Sequence, residues 1–100
     1  APRAAREIDA AVREALGNVD RHCPPETRVW LLLEDEGETV TVTVRDDGPG
    51  IAPDRLDEAA AEGRLGIAQS IRGRIADIGG TTEITTAPGQ GTEFEMRVPR

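Results

Sequence analysis

A chain of 100 residues with twelve basic and nineteen acidic side chains carries a net charge of −7, and its cations are all arginines scattered along its length, which excludes a general nucleic-acid surface because phosphate neutralisation needs clustered cations. The single cysteine excludes an internal disulfide framework and a cysteine-based metal site and favours a reducing, cytoplasmic setting. No apolar run approaches the roughly 20 residues that span a bilayer and no charged-then-apolar leader opens the chain, so no direct membrane contact is expected, and the length suits one domain, residues 1–100, able to bury roughly two thirds of its unfolded surface.

In chain order, residues 3–22 carry helical periodicity. Ile8, Val12, Ala15, Leu16 and Val19 fall within about one third of a turn at roughly 100° per residue, and Pro24-Pro25 stops the helix. Glu14, Asn18 and Arg21 stand at i, i+4 and i+7, so they form a polar stripe expected on the side away from Ile8, Val12 and Val19. The next stretch, RVWLLLED over residues 28–35, reads as a largely buried strand; EGE is a tight turn, and residues 39–46 are the returning strand of a hairpin. Residues 48–63, rich in Gly, Pro, Asp and Ala, read as a loop with one helical turn near 56–61. A second helix is expected over 65–78 with Ile67, Ile71, Ile75 and Ile78 as its stripe, closed at Gly79-Gly80, where a left-handed residue suits glycine. Two short strands follow, near 82–86 and 92–98, joined by APGQG.

Strand alternation sets the fold class. Val40, Val42 and Val44 share one face of their strand, as Phe94, Met96 and Val98 share one face of theirs, with threonines and charges on the other. One face is therefore wet, which suits an α+β two-layer sandwich, a mostly antiparallel sheet with helices on one side. The same period aims Asp46 at the core face, and Thr92 has the parity of Phe94. A turn needs one aspartate and one glycine; DDGPG has two of each. Burying a carboxylate without a donor is costly, several kcal/mol or more, so Asp46 either meets an internal donor or ends in a pocket that a ligand completes, and glycine after it allows close backbone approach.

Four elements, in order, carry a family resemblance: EALGNVDRH from Glu14, DDGPG from Asp46, GRLGI from Gly63 and PGQGT from Pro88. They resemble the N box, first and second glycine boxes and terminal Gly-Thr element of the catalytic ATP-binding (Bergerat-fold) domain of sensor histidine kinases, whose wider superfamily includes the gyrase B, Hsp90 and MutL ATPases. No GxxxxGK[ST] phosphate loop is present. The resemblance implies that Asn18 coordinates Mg²⁺ bridging the ATP phosphates, that Arg21 lies near those phosphates, and that Glu14 is the catalytic acid orienting a water or acceptor nucleophile. It implies that Asp46 accepts from the adenine amino group, with Thr92 in the same hydrogen-bonded group and Gly48, Gly50 and Ile51 beside it, and that Arg64, Leu65 and Gly66 serve the phosphates. Residues 52–62 take the position of the ATP lid. Glu62 and Arg64 stand where the commoner second box has glycines, a departure that bears on phosphate contact. The family domain has a strand ahead of its first helix, so this chain is expected to be a fragment of a larger kinase lacking the first strand.

The implied activity is histidine phosphorylation from Mg²⁺-ATP, with a histidine-bearing dimerisation domain of the same kinase and a downstream response regulator as partners. Two alternatives share the residues: an anti-sigma-factor-type serine kinase of the same fold, and a degenerate, nucleotide-free interaction module. His22 reads as a helix-end residue favoured by the dipole rather than the phosphorylated histidine, Asp47 as a solvated turn residue, and Cys23, Trp30 and Phe94 as packing.

Overall fold

The computed structural model describes residues 2–50 and 64–99. The helical turn expected near 56–61 and the lid position at 52–62 lie outside the described residues. Helix α1 spans Pro2–His22, strand β1 Val29–Asp35, β2 Thr39–Asp46, helix α2 Arg64–Ala76, β3 Thr81–Thr86 and β4 Thr92–Pro99. The strands form one sheet in the order β1-β2-β4-β3, antiparallel at every neighbour. Both helices pack on one face of it and against each other, giving the two-layer α+β arrangement that the alternation of valines implies.

The core follows that alternation. Val42 and Val44 of β2, Phe94, Met96 and Val98 of β4, Ile71 and Ile75 of α2, and Ala11 and Ala15 of α1 form one buried cluster. Ile71 and Ile75 are wholly excluded from solvent, each contributing about 1.5–3 kcal/mol of transfer free energy. Ile67, Ile78 and Ile84 pack at its margin. Helix α2 ends as its glycines require: Gly79 adopts φ 79°, its N–H donates to Ala76 O at 3.0 Å, and Gly80 N–H donates to Ile75 O at 2.9 Å. These are the two bonds of a Schellman cap, which satisfy otherwise orphaned carbonyls.

Two expectations are overturned. Strand β1 is exposed along its whole length, with Leu31 at 59% and Leu33 at 69% of full exposure. Its register puts Leu31 beside Val44 and Leu33 beside Val42, so these leucines do point to the helix side. The helices, however, lie over β2, β3 and β4, and no described element covers the β1 edge. Trp30, expected as packing, is 50% exposed on the opposite face, where it and Leu32, Thr43, Arg45 and Glu93 line an open groove of about 470 Å³. Phe94 does pack, being buried in the core.

The second correction concerns α1. Its buried residues are Ala11, Ala15, Asn18 and Val19, while Leu16 is exposed. The buried arc thus lies between the apolar stripe and the polar stripe instead of on the apolar stripe alone. The physical reason is the second helix. α1 packs against both the sheet and α2, and the small Ala11 and Ala15 side chains face that junction while Ile8 and Val12 fall to its margin.

Candidate nucleotide site

At the ends of β2 and β4, Asp46 and Thr92 are cross-strand partners, and both are buried, at 4% and 6% exposure. The period-2 alternation that buries Val42 and Val44 carries Asp46 into the interior, as it carries Thr92 after Phe94. Asp46 Oδ1 accepts the Gly48 N–H at 2.8 Å. That internal donor uses one of the roughly four acceptor positions of a carboxylate, so the group retains capacity for a ligand's amino hydrogen. Thr92 Oγ1 shares a 3.0 Å hydrogen bond with Thr86 Oγ1, and Thr86 also donates to Gly91 O at 3.2 Å.

Glycine is demanded here by close backbone approach. A Cβ on Gly91 would fall 1.9 Å from Asp46 O, and one on Gly50 would fall 2.1 Å from Ala87 O; both glycines have positive φ. Gly89 N–H donates to Pro49 O at 2.8 Å, so the DGPG and APGQG loops are fastened together through main chain. Cys23 joins the same wall. A Cβ on Gly48 would stand 2.7 Å from Cys23 Sγ and 3.0 Å from Asp46 Oδ1, so the thiol and the carboxylate flank one glycine. Asp47 is exposed but not idle: its Oδ1 accepts the Arg28 N–H at 2.6 Å, and its own N–H donates to Arg28 O at 3.1 Å, tying the start of β1 to the end of β2.

On α1 the polar stripe divides. Asn18, expected on the face opposite the core, is 4% exposed, and its Oδ1 is shielded with no hydrogen-bond partner. Leaving a buried amide oxygen unpaired costs about 1–3 kcal/mol, which a cation or a donor would recover. Among the described residues no group of three or more His, Cys, Asp or Glu could hold a metal ion. A single amide oxygen nonetheless fits Mg²⁺, which keeps several waters and takes the remainder of its shell from substrate phosphates. Arg21 is exposed in the last helical turn, with His22 at the end.

Glu14, one turn before Asn18 in the same stripe and half-buried, reaches α2. Ser70 Oγ lies 3.0 Å and 3.1 Å from its two carboxylate oxygens, and Arg74 Nε lies 3.5 Å from Oε2. Neither Ser70 nor Arg74 was among the residues singled out from sequence. Their i, i+4 spacing along the border of the isoleucine stripe is the only local signal, and such pairs are common on helix surfaces. Gly66 lies in the first turn of α2, exposed, with no described atom within 4 Å of a Cβ built on it. Ile51 and the side chains of Arg64 and Leu65 lie outside the described residues.

Residues 4–100 match the family of histidine kinase-, DNA gyrase B- and HSP90-like ATPases. The chain is similar to the sensor histidine kinase LiaS of Bacillus subtilis (strain 168), 33% identical over 88 residues that are 88% of this chain and 23% of LiaS. It is also similar to the sensor histidine kinase NarS of Mycobacterium tuberculosis (strain ATCC 25618 / H37Rv), 36% identical over 92% of this chain and 21% of NarS. It thus spans under a quarter of the length of these relatives. Among solved structures, the histidine kinase domain of the blue-light activated histidine kinase from Erythrobacter litoralis EL346 superposes with a TM-score of 0.76 at 31% identity, over 97% of this chain and 45% of that one.

Proposed function

Because this chain belongs to the family of histidine kinase-, DNA gyrase B- and HSP90-like ATPases, we propose that residues 1–100 are the catalytic ATP-binding domain of a sensor histidine kinase. In this reading it binds Mg²⁺-ATP and delivers the γ-phosphoryl group to a histidine on a dimerisation domain. The observation that carries the proposal is the inward Asp46, buried beside Thr92 where Gly48, Gly50 and Gly91 let the surrounding loops pack closely. A carboxylate there has the acceptor capacity to take a hydrogen bond from the 6-amino group of adenine.

The remaining roles follow from position. Asn18 Oδ1, buried and unpartnered, is the amide oxygen that would hold Mg²⁺. A Mg²⁺ held there would supply positive charge against the negative charge of the ATP phosphates. Arg21 adds positive charge from the last turn of α1, and the family resemblance assigns Arg64 a phosphate contact. Glu14 orients the acceptor imidazole and takes its proton as the new N–P bond forms and the bond to the ADP oxygen breaks. The partners in this reading are the histidine-bearing domain and a response regulator, in a cytoplasmic setting. No helix among the described residues is long and apolar enough to cross a membrane. A serine acceptor, as in anti-sigma-factor kinases, is disfavoured because the named relatives are sensor histidine kinases.

Titration calorimetry with ATP and GTP tests the proposal. ATP binds with preference over GTP, whose 6-oxo group offers an acceptor where Asp46 needs a donor, and Asp46→Asn weakens ATP by about 1.5–3 kcal/mol, roughly tenfold or more. Equal affinity for the two nucleotides would overturn the assignment of Asp46, and no affinity for either would leave the chain a nucleotide-free interaction module.

A further inference from the structure

Glu14 does not stand alone on its helix. Ser70 Oγ is placed almost evenly between the two carboxylate oxygens, at 3.0 Å and 3.1 Å. One helical turn further along α2, Arg74 straddles two acids of α1: its Nη1 lies 3.4 Å from Glu7 Oε2 and its Nε lies 3.5 Å from Glu14 Oε2. Arg74 Nε is shielded from solvent and completes no hydrogen bond, so its contribution at Glu14 is charge, while the directional bond comes from the Ser70 hydroxyl. The seam joins residues 56 positions apart in sequence for Ser70 and Glu14. It also joins the helix that carries Asn18 to the helix whose first turn carries Gly66.

We infer that Ser70 and Arg74 are positioning residues that fix the Glu14 carboxylate for phosphoryl transfer. The inference rests on the catalytic reading of Glu14. A carboxylate on a surface-facing edge of a helix samples several side-chain rotamers, and a nucleophile-orienting group must hold one of them, since small misplacements cost large factors in rate. The Ser70 hydroxyl occupies one of the acceptor positions of the carboxylate and leaves others for the proton of the nucleophile. Arg74, by reaching both Glu7 and Glu14, places a positive charge between the two acids of α1 and holds the Glu14 carboxylate toward α2. An effect confined to orientation appears in the transition state and not in nucleotide binding.

The test uses the kinase that carries this domain together with its histidine-bearing hairpin, with single-turnover transfer from Mg²⁺-ATP as the readout. Ser70→Ala lowers the transfer rate about tenfold, as loss of a hydrogen bond to a charged group implies, and leaves the ATP KM within about twofold. Ser70→Thr, which keeps a hydroxyl at the same position, restores the rate; a merely structural role predicts no such rescue paired with an unchanged KM. In a Glu14→Gln background, Ser70→Ala adds no further loss, because the serine acts through Glu14. A wild-type rate for Ser70→Ala while Glu14→Gln is impaired overturns the positioning inference and leaves the role of Glu14 standing. Equal losses from Ser70→Ala in both backgrounds also overturn it, since the serine then acts independently. A wild-type rate for Glu14→Gln overturns the catalytic reading itself, and the two failures are thereby told apart.

Discussion

Strands β1 and β2 are two arms of one hairpin, yet they have opposite fates. β1, which begins VWLLL, is the more apolar and is exposed throughout; β2, alternating Val with Thr and ending in Asp46, buries Val42, Val44 and Asp46. Hydrophobicity therefore does not decide which strand is inside. Coverage decides it: α1 and α2 lie over the centre and the β3 side of the sheet, and the end of β2 is further enclosed by the two glycine loops packed on it. The same carboxyl-ended strand that looks unsuited to a core is the one whose polar terminus is aimed at the candidate site.

The comparison breaks first at the core. Ile75→Ala should lose about 2–5 kcal/mol of stability in a urea or thermal melt, because the wholly buried side chain leaves a cavity between α2 and the sheet. A loss under about 1 kcal/mol would mean that the layer over β2 and β4 is loosely packed.

The turns at either end of β2 sharpen it. Gly37, in the turn between β1 and β2, and Gly91, against Asp46, both have positive φ, but only Gly91 is crowded; nothing lies within 4 Å of a Cβ on Gly37. Gly37→Ala should cost the left-handed conformation alone, about 1–2 kcal/mol. Gly91→Ala should cost about 2–5 kcal/mol, that conformation plus overlap with main chain, and it should weaken nucleotide binding as well. Equal melts for the two variants would remove the distinction between the open turn and the enclosed one.

The smallest effect is the most pointed. Leu33→Ala, on the exposed strand, should change stability by no more than about 0.5 kcal/mol, despite deleting the same kind of side chain whose removal from a core costs several. A loss comparable to Ile75→Ala would show β1 covered in the folded protein.

What was legible in the sequence was whatever depends on local geometry. The inward aim of Asp46 and Thr92 follows from period-2 alternation, which the sheet register preserves, and the end of α2 follows from Gly79-Gly80. The same alternation, with threonines and charges on the other face, also implied the two-layer fold class. What was not legible depends on neighbours distant in sequence. RVWLLLED carries the pattern of a buried strand, but whether a helix lies over it is set elsewhere in the chain. The face of α1 was misjudged for the same reason: Ala11, Ala15 and Asn18 face inward because α2 packs there, and small residues give no strong apolar signal. The tie from Glu14 to Ser70 and Arg74 spans 56 residues or more, beyond any local motif.

The pairing pattern also bears on how the chain reaches this state. The β1–β2 hairpin closes over a short turn at residues 36–38, whereas β2 meets β4 only after residues 47–91 have been brought round. Closing the shorter loop costs less entropy, so the hairpin forms ahead of the central pairing, and for that interval β2 as well as β1 presents an open edge. An apolar strand with one unpaired edge among the described residues is a template for other chains, and long-range pairing is slow enough to prolong the interval. The order in which these strands pair thus makes the yield of folded protein sensitive to chain concentration, and the VWLLL segment is where that sensitivity resides.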